Sequence, residues 1–324
     1  MKVSHSLSLL LVLTVACLSF LSLRGDINTD GSEIQLSAMF TQWKSEFNKN
    51  YGNQMEEIYR LTIFKHNIQI IETHNSQKDK TYEKGLNQFS DLTEEEFAAT
   101  YLTFIPKSQQ SLQIESTEQI SDDEEINWVE KGYVTSIKDE GACGACWAFA
   151  AIGPLEAMIK QQGKPLVSLS AQQLMDCSNS YGNYGCNGGY MDSSYKYIKD
   201  KGITTEDKYP YKGAFQKCIV DGGEYKVNGF VDIKDCKTLA SALLKIPIAV
   251  AVDATKFYNY KSGVFNDCSS KPQLNHALAF VGMTSEYWLG KEQWGLKWGE
   301  NGYIRISKAG NACGACQMAS YPVW

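Results

Sequence analysis

Cys143-Gly144-Ala145-Cys146-Trp147-Ala148-Phe149 decides how this chain is read, and Asn275-His276-Ala277 is its counterpart far downstream. A thiol is a weak nucleophile until an imidazolium or a helix N-terminus helps it ionise. Gly141 and Gly144 allow a tight, irregular backbone up to Cys146. The run from Trp147 to Ile152 is apolar and helix-forming, and Leu155, Met158 and Ile159 continue one face at spacings of three and four. Pro154 is read as lying near the start of that helix, where proline is tolerated. Cys146 is then expected in the first turn of a buried helix, where the macrodipole favours thiolate. The bland alternatives are a half-cystine at 146 and a satisfied core histidine before the apolar run Ala277 to Val281. Of four histidines, the other three (His5, His66 and His74) lie in the first quarter of the chain.

Composition supports a folded protein with a sizeable core: 324 residues, 43% hydrophobic and 21% charged. Met1 to Leu23 carries Lys2 and then Leu7 to Leu18, the pattern of a signal peptide, with an uncleaved membrane anchor as the alternative. A secretory start makes the ten cysteines interpretable as a disulfide framework. The net charge of −6 comes with no basic cluster, so no nucleic-acid or membrane-surface partner is expected of the folded part. The repeated C-x-x-C at 143–146 and 313–316 is too widely separated for a zinc ribbon, and no metal or organic cofactor is expected.

From Cys143 onward the chain resembles the papain family, most closely its cathepsin L-like branch. The supporting segments are Leu166 to Cys177, Cys186-Asn187-Gly188-Gly189, and Trp294 to Tyr303. Ser170 and Gln173 also read as a capping box in their own right. The resemblance implies an α+β, papain-like two-domain fold, with a helical left domain and an antiparallel β right domain, preceded by a helical propeptide domain. It also implies the bridges Cys143–Cys186, Cys177–Cys218 and Cys268–Cys313. Cys236 and Cys316 stay unassigned, as a fourth pair, as buried thiols, or with Cys316 reactive.

The segment before residue 122 carries its own pattern. Phe40, Trp43 and Phe47, then Ile58, Leu61, Phe64, Ile68 and Ile71, recur at helical spacing, which predicts two amphipathic helices broken at Tyr51-Gly52-Asn53. Glu56, Arg60, Phe64, Asn67, Ile71 and Asn75 are similar to the family's inhibitory propeptide motif, and Gly85, Asn87, Phe89 and Asp91 to its companion. The resulting expectation is a signal peptide over 1–25, a propeptide over 26–121 with a polar, cleavable linker from about 106, and a mature peptidase over 122–324.

By resemblance, Cys146 is the nucleophile, His276 the acid and base, and Glu292 the residue that orients the imidazole. Gly144, Gly188, Gly189, Tyr190, Met191, Ala251, Trp294 and Met318 are implied in substrate binding. Two positions depart from the family. Glu140 stands where a glutamine amide donates to the oxyanion, and an ionised carboxylate has no donor to offer. Burial would raise the pKa of Glu140, and its protonated form could donate, which implies activity tuned to acid. Glu292 replaces the asparagine of the Asn-Ser-Trp pattern; it accepts an imidazole N–H equally well but is one methylene longer. Implied is a monomeric secretory zymogen with peptide or protein substrates, its own propeptide as inhibitor, and a lysosomal, vesicular or secreted destination. A weak or inactive homologue acting by binding is the alternative.

Overall fold

A computed structural model describes residues 33–104, 112–113 and 124–324. The expected signal peptide, the boundary at 121/122 and most of the expected linker lie outside these residues. The chain divides into two compact units, one ending at Ile68 and the other running from Gln69 to Trp324.

In the first unit, helix α1 (33–46) is followed by a break and then α2 (Gln54–Asn75), which continues into the second unit. The expected break at 51–53 is where the helices part. Phe40, Trp43, Phe64 and Ile68 form a small buried cluster, with Phe47, Tyr51 and Leu61 packed against it. Phe40 and Trp43 stack at 5.8 Å, and the Phe64 ring lies 5.1 Å from Trp43. Ile58, expected on this face, is 52% exposed because it falls off the edge of the stripe defined by Leu61, Phe64 and Ile68.

The second unit begins with the end of α2, then β1 (Tyr82–Lys84) and α3 (Glu94–Tyr101). Strands β2 (Leu112–Gln113) and β3 (Ile126–Asn127) precede the helices α4 (Cys146–Gln161), α5 (Ala171–Cys177) and α6 (Met191–Asp200). After β4 (Gly229–Ile233) and α7 (Cys236–Leu243) come β5 (Ile248–Val252), β6 (Tyr260–Phe265), β7 (His276–Met283), β8 (Tyr287–Lys291), β9 (Tyr303–Ser307) and β10 (Ala319–Val323). The sheet runs β1-β6-β9-β8-β7-β5-β10-β4-β2, with β3 on β7. Most pairs are antiparallel, as expected, but β6 lies parallel to β9 and β2 parallel to β4.

The central strand β7 is buried along its whole length, and α4 packs on it. Every residue from Cys146 to Ile159 except Gly153 is buried, so tertiary packing holds this helix. Pro154 is not near its start, as expected, but in its interior. Its ring removes one backbone donor, and the cost is carried by burial where Gly153 lets the helix approach Ala279, to which an added Cβ would come within 3.1 Å.

The capping box expected at α5 is half formed. Ser170 accepts from the Gln173 N–H at 2.9 Å, but the Gln173 amide is drawn away to Tyr197, to the Gly222 carbonyl and to the Thr204 N–H. A complete box caps α3 instead, between Thr93 and Glu96. Four disulfides close the unit: Cys143–Cys186, Cys177–Cys218 and Cys268–Cys313 as expected, and Cys236–Cys316, which resolves the unassigned pair. Among the described residues no helix is long and apolar enough to cross a membrane.

Candidate active site

Cys146 is the first residue of α4 and the only free cysteine among the described residues. The Cys143–Cys186 bridge and the bond from Trp147 Nε1 to the Gly185 carbonyl (3.2 Å) fasten the turn that leads into it. Cys146 is fully buried. Burial pushes its thiol well above the usual range, and the charges of Glu140 and Glu292 push the same way, while the backbone N–H groups of Ala277 and Trp147 oppose them. The Trp147 N–H at the helix N-terminus acts in the direction read from sequence, against the larger effect of burial.

His276 opens β7 opposite Val252 of β5, and the ring is fully buried. Its Nε2 lies 2.9 Å from Glu292 Oε2, so the longer carboxylate does reach the imidazole. The ring packs on Trp294, centroids 4.6 Å apart. His276 Nδ1 and Glu292 Oε1 are buried and have no hydrogen-bond partner among the described residues. The Ala277 contact brings the Cys146 sulfur to the residue next to this ring.

Glu140 is fully buried on the approach to Cys146. Its Oε1 accepts from Trp294 Nε1 at 3.0 Å and its Oε2 from the Ala145 N–H at 2.9 Å. Burial pushes this carboxyl well above the carboxylate range and the Glu292 charge adds to the effect, against the Trp294, Ala145 and Gln293 donors. The upward direction is the one that burial was expected to give Glu140.

The cleft beside Cys146 is filled by Leu102-Thr103-Phe104 of the same unit. Thr103 Oγ1 donates to the Gly144 carbonyl at 3.3 Å, and Phe104 N–H to the Asn275 carbonyl at 3.1 Å. A Cβ on Gly144 would lie 1.9 Å from Thr103 Oγ1, and one on Gly188 2.5 Å from the Thr103 carbonyl oxygen, so both glycines are needed for this approach. Gly189 instead backs onto Trp147. The Phe104 ring meets Tyr190 edge-on at 6.1 Å. Met191 and Ala251 are buried and Met318 is partly exposed, with the Ala251 N–H bonded to the Met318 carbonyl at 2.9 Å.

The motif residues before the cleft are used structurally. Arg60 lies 4.0 Å from Glu56, Phe64 and Asn67 are buried, and Ile71 is half-buried. Asn75 pins β1 by bonding both the N–H and the carbonyl of Lys84. Gly85 N–H bonds the Asn259 carbonyl, Asn87 Nδ2 donates to the Tyr258 carbonyl at 2.6 Å, and Asp91 is buried. Phe89 meets Trp294 edge-on at 5.5 Å, which ties the second motif to the ring that supports His276.

Gln293 was passed over in the sequence, although it too departs from the Asn-Ser-Trp pattern. It is buried, with its Nε2 3.0 Å from His276 Nε2 and donating to the Ala277 carbonyl at 3.1 Å. Asp192, also passed over, is pushed up to about 7 by burial and by Asp232, against Ser320 and Lys196.

Residues 123–323 match the papain family cysteine protease, and residues 40–97 the cathepsin propeptide inhibitor domain. The chain is 37% identical over 298 residues to cathepsin L 2 of Paramecium tetraurelia, covering 90% of this chain and 94% of that protein. It is 39% identical over 306 residues to a cathepsin L-like proteinase of Fasciola hepatica, covering 88% and 93%. The solved digestive procathepsin L 3 of Tenebrio molitor larval midgut superposes with a TM-score of 0.82 at 37% identity, covering 89% of this chain and 99% of that one.

Proposed function

The chain belongs to the papain family of cysteine proteases, and on that premise we propose that it is an acid-tuned endopeptidase made as a secretory zymogen. In this reading residues 1–25 are a signal peptide, 26–121 an inhibitory propeptide and 122–324 the mature enzyme, destined for a lysosome-like acidic vesicle or for secretion. The observation that carries it is the Leu102-Thr103-Phe104 segment against Gly144, Gly188 and Asn275, the course a peptide would take past Cys146.

The Cys146 thiolate attacks the scissile carbonyl carbon, the C–N bond breaks, and the leaving amine takes a proton from the His276 imidazolium. His276 then takes a proton from water, whose oxygen displaces the thiolate from the thioester. Glu292 stabilises the imidazolium. The Cys146 backbone N–H and protonated Glu140 face the oxyanion. Removing 102–104 returns water to Cys146 and reverses burial, the largest cause that holds the thiol protonated. Tyr190, Met191, Ala251 and Met318 line an apolar pocket for the side chain two before the scissile bond, which favours Leu, Val or Ile.

One observation favours a second reading, a weak or inactive homologue that binds peptides. Both Glu140 oxygens already accept N–H groups, and both glutamates raise the Cys146 thiol. The zymogen shifted to about pH 4.5, with Cys146→Ala as control, separates the two. Loss of the propeptide and cleavage of a Leu-containing fluorogenic peptide, both requiring Cys146, are expected; a processed protein that binds this peptide without cleaving it supports the binding homologue.

A further inference from the structure

Two side chains converge on a single nitrogen of His276. Glu292 Oε2 stands 2.9 Å and Gln293 Nε2 3.0 Å from His276 Nε2. The orientation of the Gln293 amide is fixed by its bond to the Ala277 carbonyl at 3.1 Å, since the opposite orientation would set oxygen against oxygen. A ring nitrogen carries either a proton or a lone pair. With a proton it donates to Glu292, and the second Gln293 N–H is left to Glu140 alone. With a lone pair it accepts from Gln293 and turns that lone pair toward the carboxylate. The two contacts therefore exclude each other.

We propose that Gln293 is a positioning residue that holds the Nε2 edge of His276 in competition with Glu292, and so sets which proton state of the imidazole is presented at Nδ1. Glu292 favours a ring protonated at Nε2, whose neutral form has a bare Nδ1 able to act as a base. Gln293 favours a bare Nε2 with the proton on Nδ1. The same amide faces Glu140, so it bears on both of the glutamates near the site. The charged and titratable groups around the ring are Cys146 from α4, Glu140 from the loop before it, and Glu292. Lys138, Glu156 and Lys291 join Glu292 and Gln293 around a cavity of about 20 Å³.

This inference deepens the proposed activity and rests on His276 being its acid and base, but its test needs no turnover. Ring ¹⁵N spectra of the full zymogen are recorded across pH, with the His276 resonances assigned by their loss in His276→Asn. In the wild type the neutral ring is expected to populate the form with bare Nε2. In Gln293→Met, which keeps bulk and loses the donor, that population falls and the ring titration moves about half to one unit toward higher pH. Gln293→Ser gives the same shift should the Met variant fail to fold. A wild-type neutral ring protonated at Nε2 alone overturns the proposal without any variant, and so does an unmoved titration in a folded variant. A shifted ring in a protein that cleaves no peptide refutes the proposed activity and leaves the role of Gln293 standing.

Discussion

The buried carboxyl of Glu140 accepts the indole N–H of Trp294 at 3.0 Å, which links the approach to Cys146 directly to the ring that packs on His276. Because burial raises the Glu140 pKa, its proton, and with it a hydrogen-bond donor, is present at acid pH and lost as pH rises. Glu140→Gln supplies a donor at every pH. Peptidase activity is expected to rise mainly toward neutral and higher pH, by up to ~100-fold, with little change in acid. A pH profile identical to wild type contradicts this role.

Gly188 has φ +100° and faces the Thr103 carbonyl so closely that a Cβ would lie 2.5 Å away. Gly188→Ala is expected to raise KM on the order of tenfold, with a smaller effect on kcat, and to ease propeptide release. Steady-state kinetics on a peptide substrate check this, and an unchanged KM would show that extended substrate does not follow the path of Thr103.

Asp192 sits beside Asp232 with its pKa raised to about 7 by burial and that neighbour. A carboxyl raised in the folded state gives its full stabilisation below the unfolded value of about 3.9 and loses it as pH climbs through the folded value. Asp192→Asn is therefore expected to stabilise the protein at pH 8 by on the order of 1–3 kcal/mol relative to its effect at pH 4. Thermal melts at the two pH values test the sign, and an equal change at both contradicts it.

Cys236 and Cys316 close an 80-residue separation, tying α7 to the segment before β10. Replacing both with serine is expected to cost about 2–4 kcal/mol in non-reducing chemical unfolding. Cys146, His276 and Glu292 lie outside the two segments that the bridge joins, and turnover at 25 °C should hold. An unmoved midpoint would mean that the pair is reduced in the protein.

Phe104 already places an aromatic ring against Tyr190. A peptide library is expected to favour Leu, Val or Ile over Arg two residues before the scissile bond, by roughly tenfold or more. A preference for Arg there removes the assignment of Met318 to an apolar pocket.

Much of this architecture was readable from local pattern. The apolar run after Cys146 gave the central helix, and the spacing of Phe40, Trp43, Phe64 and Ile68 gave the helical cluster before it. Local pattern failed where distant partners compete for a group. Gln173 satisfies the rule for a capping box, yet Tyr197, Gly222 and Thr204 claim its amide. Pro154 lies more than two turns past Cys146, so the first-turn rule does not reach it, and burial on β7 holds it inside the helix. Spacing says nothing about the approach of Cys236 to Cys316, and only the folded chain brings the Gln293 amide to the nitrogen that Glu292 also contacts.

The central claim is that Cys146 is the nucleophile of a peptidase released by removal of the segment lying against Gly144, Gly188 and Asn275. Its most direct test is to react the acid-processed protein with a Leu-containing peptidyl chloromethyl ketone and map the adduct by mass spectrometry. One equivalent on Cys146, with loss of peptide cleavage in step with labelling and no labelling of the unprocessed zymogen, is the predicted result. Cleavage that survives full labelling of Cys146, or an adduct formed elsewhere, would contradict it.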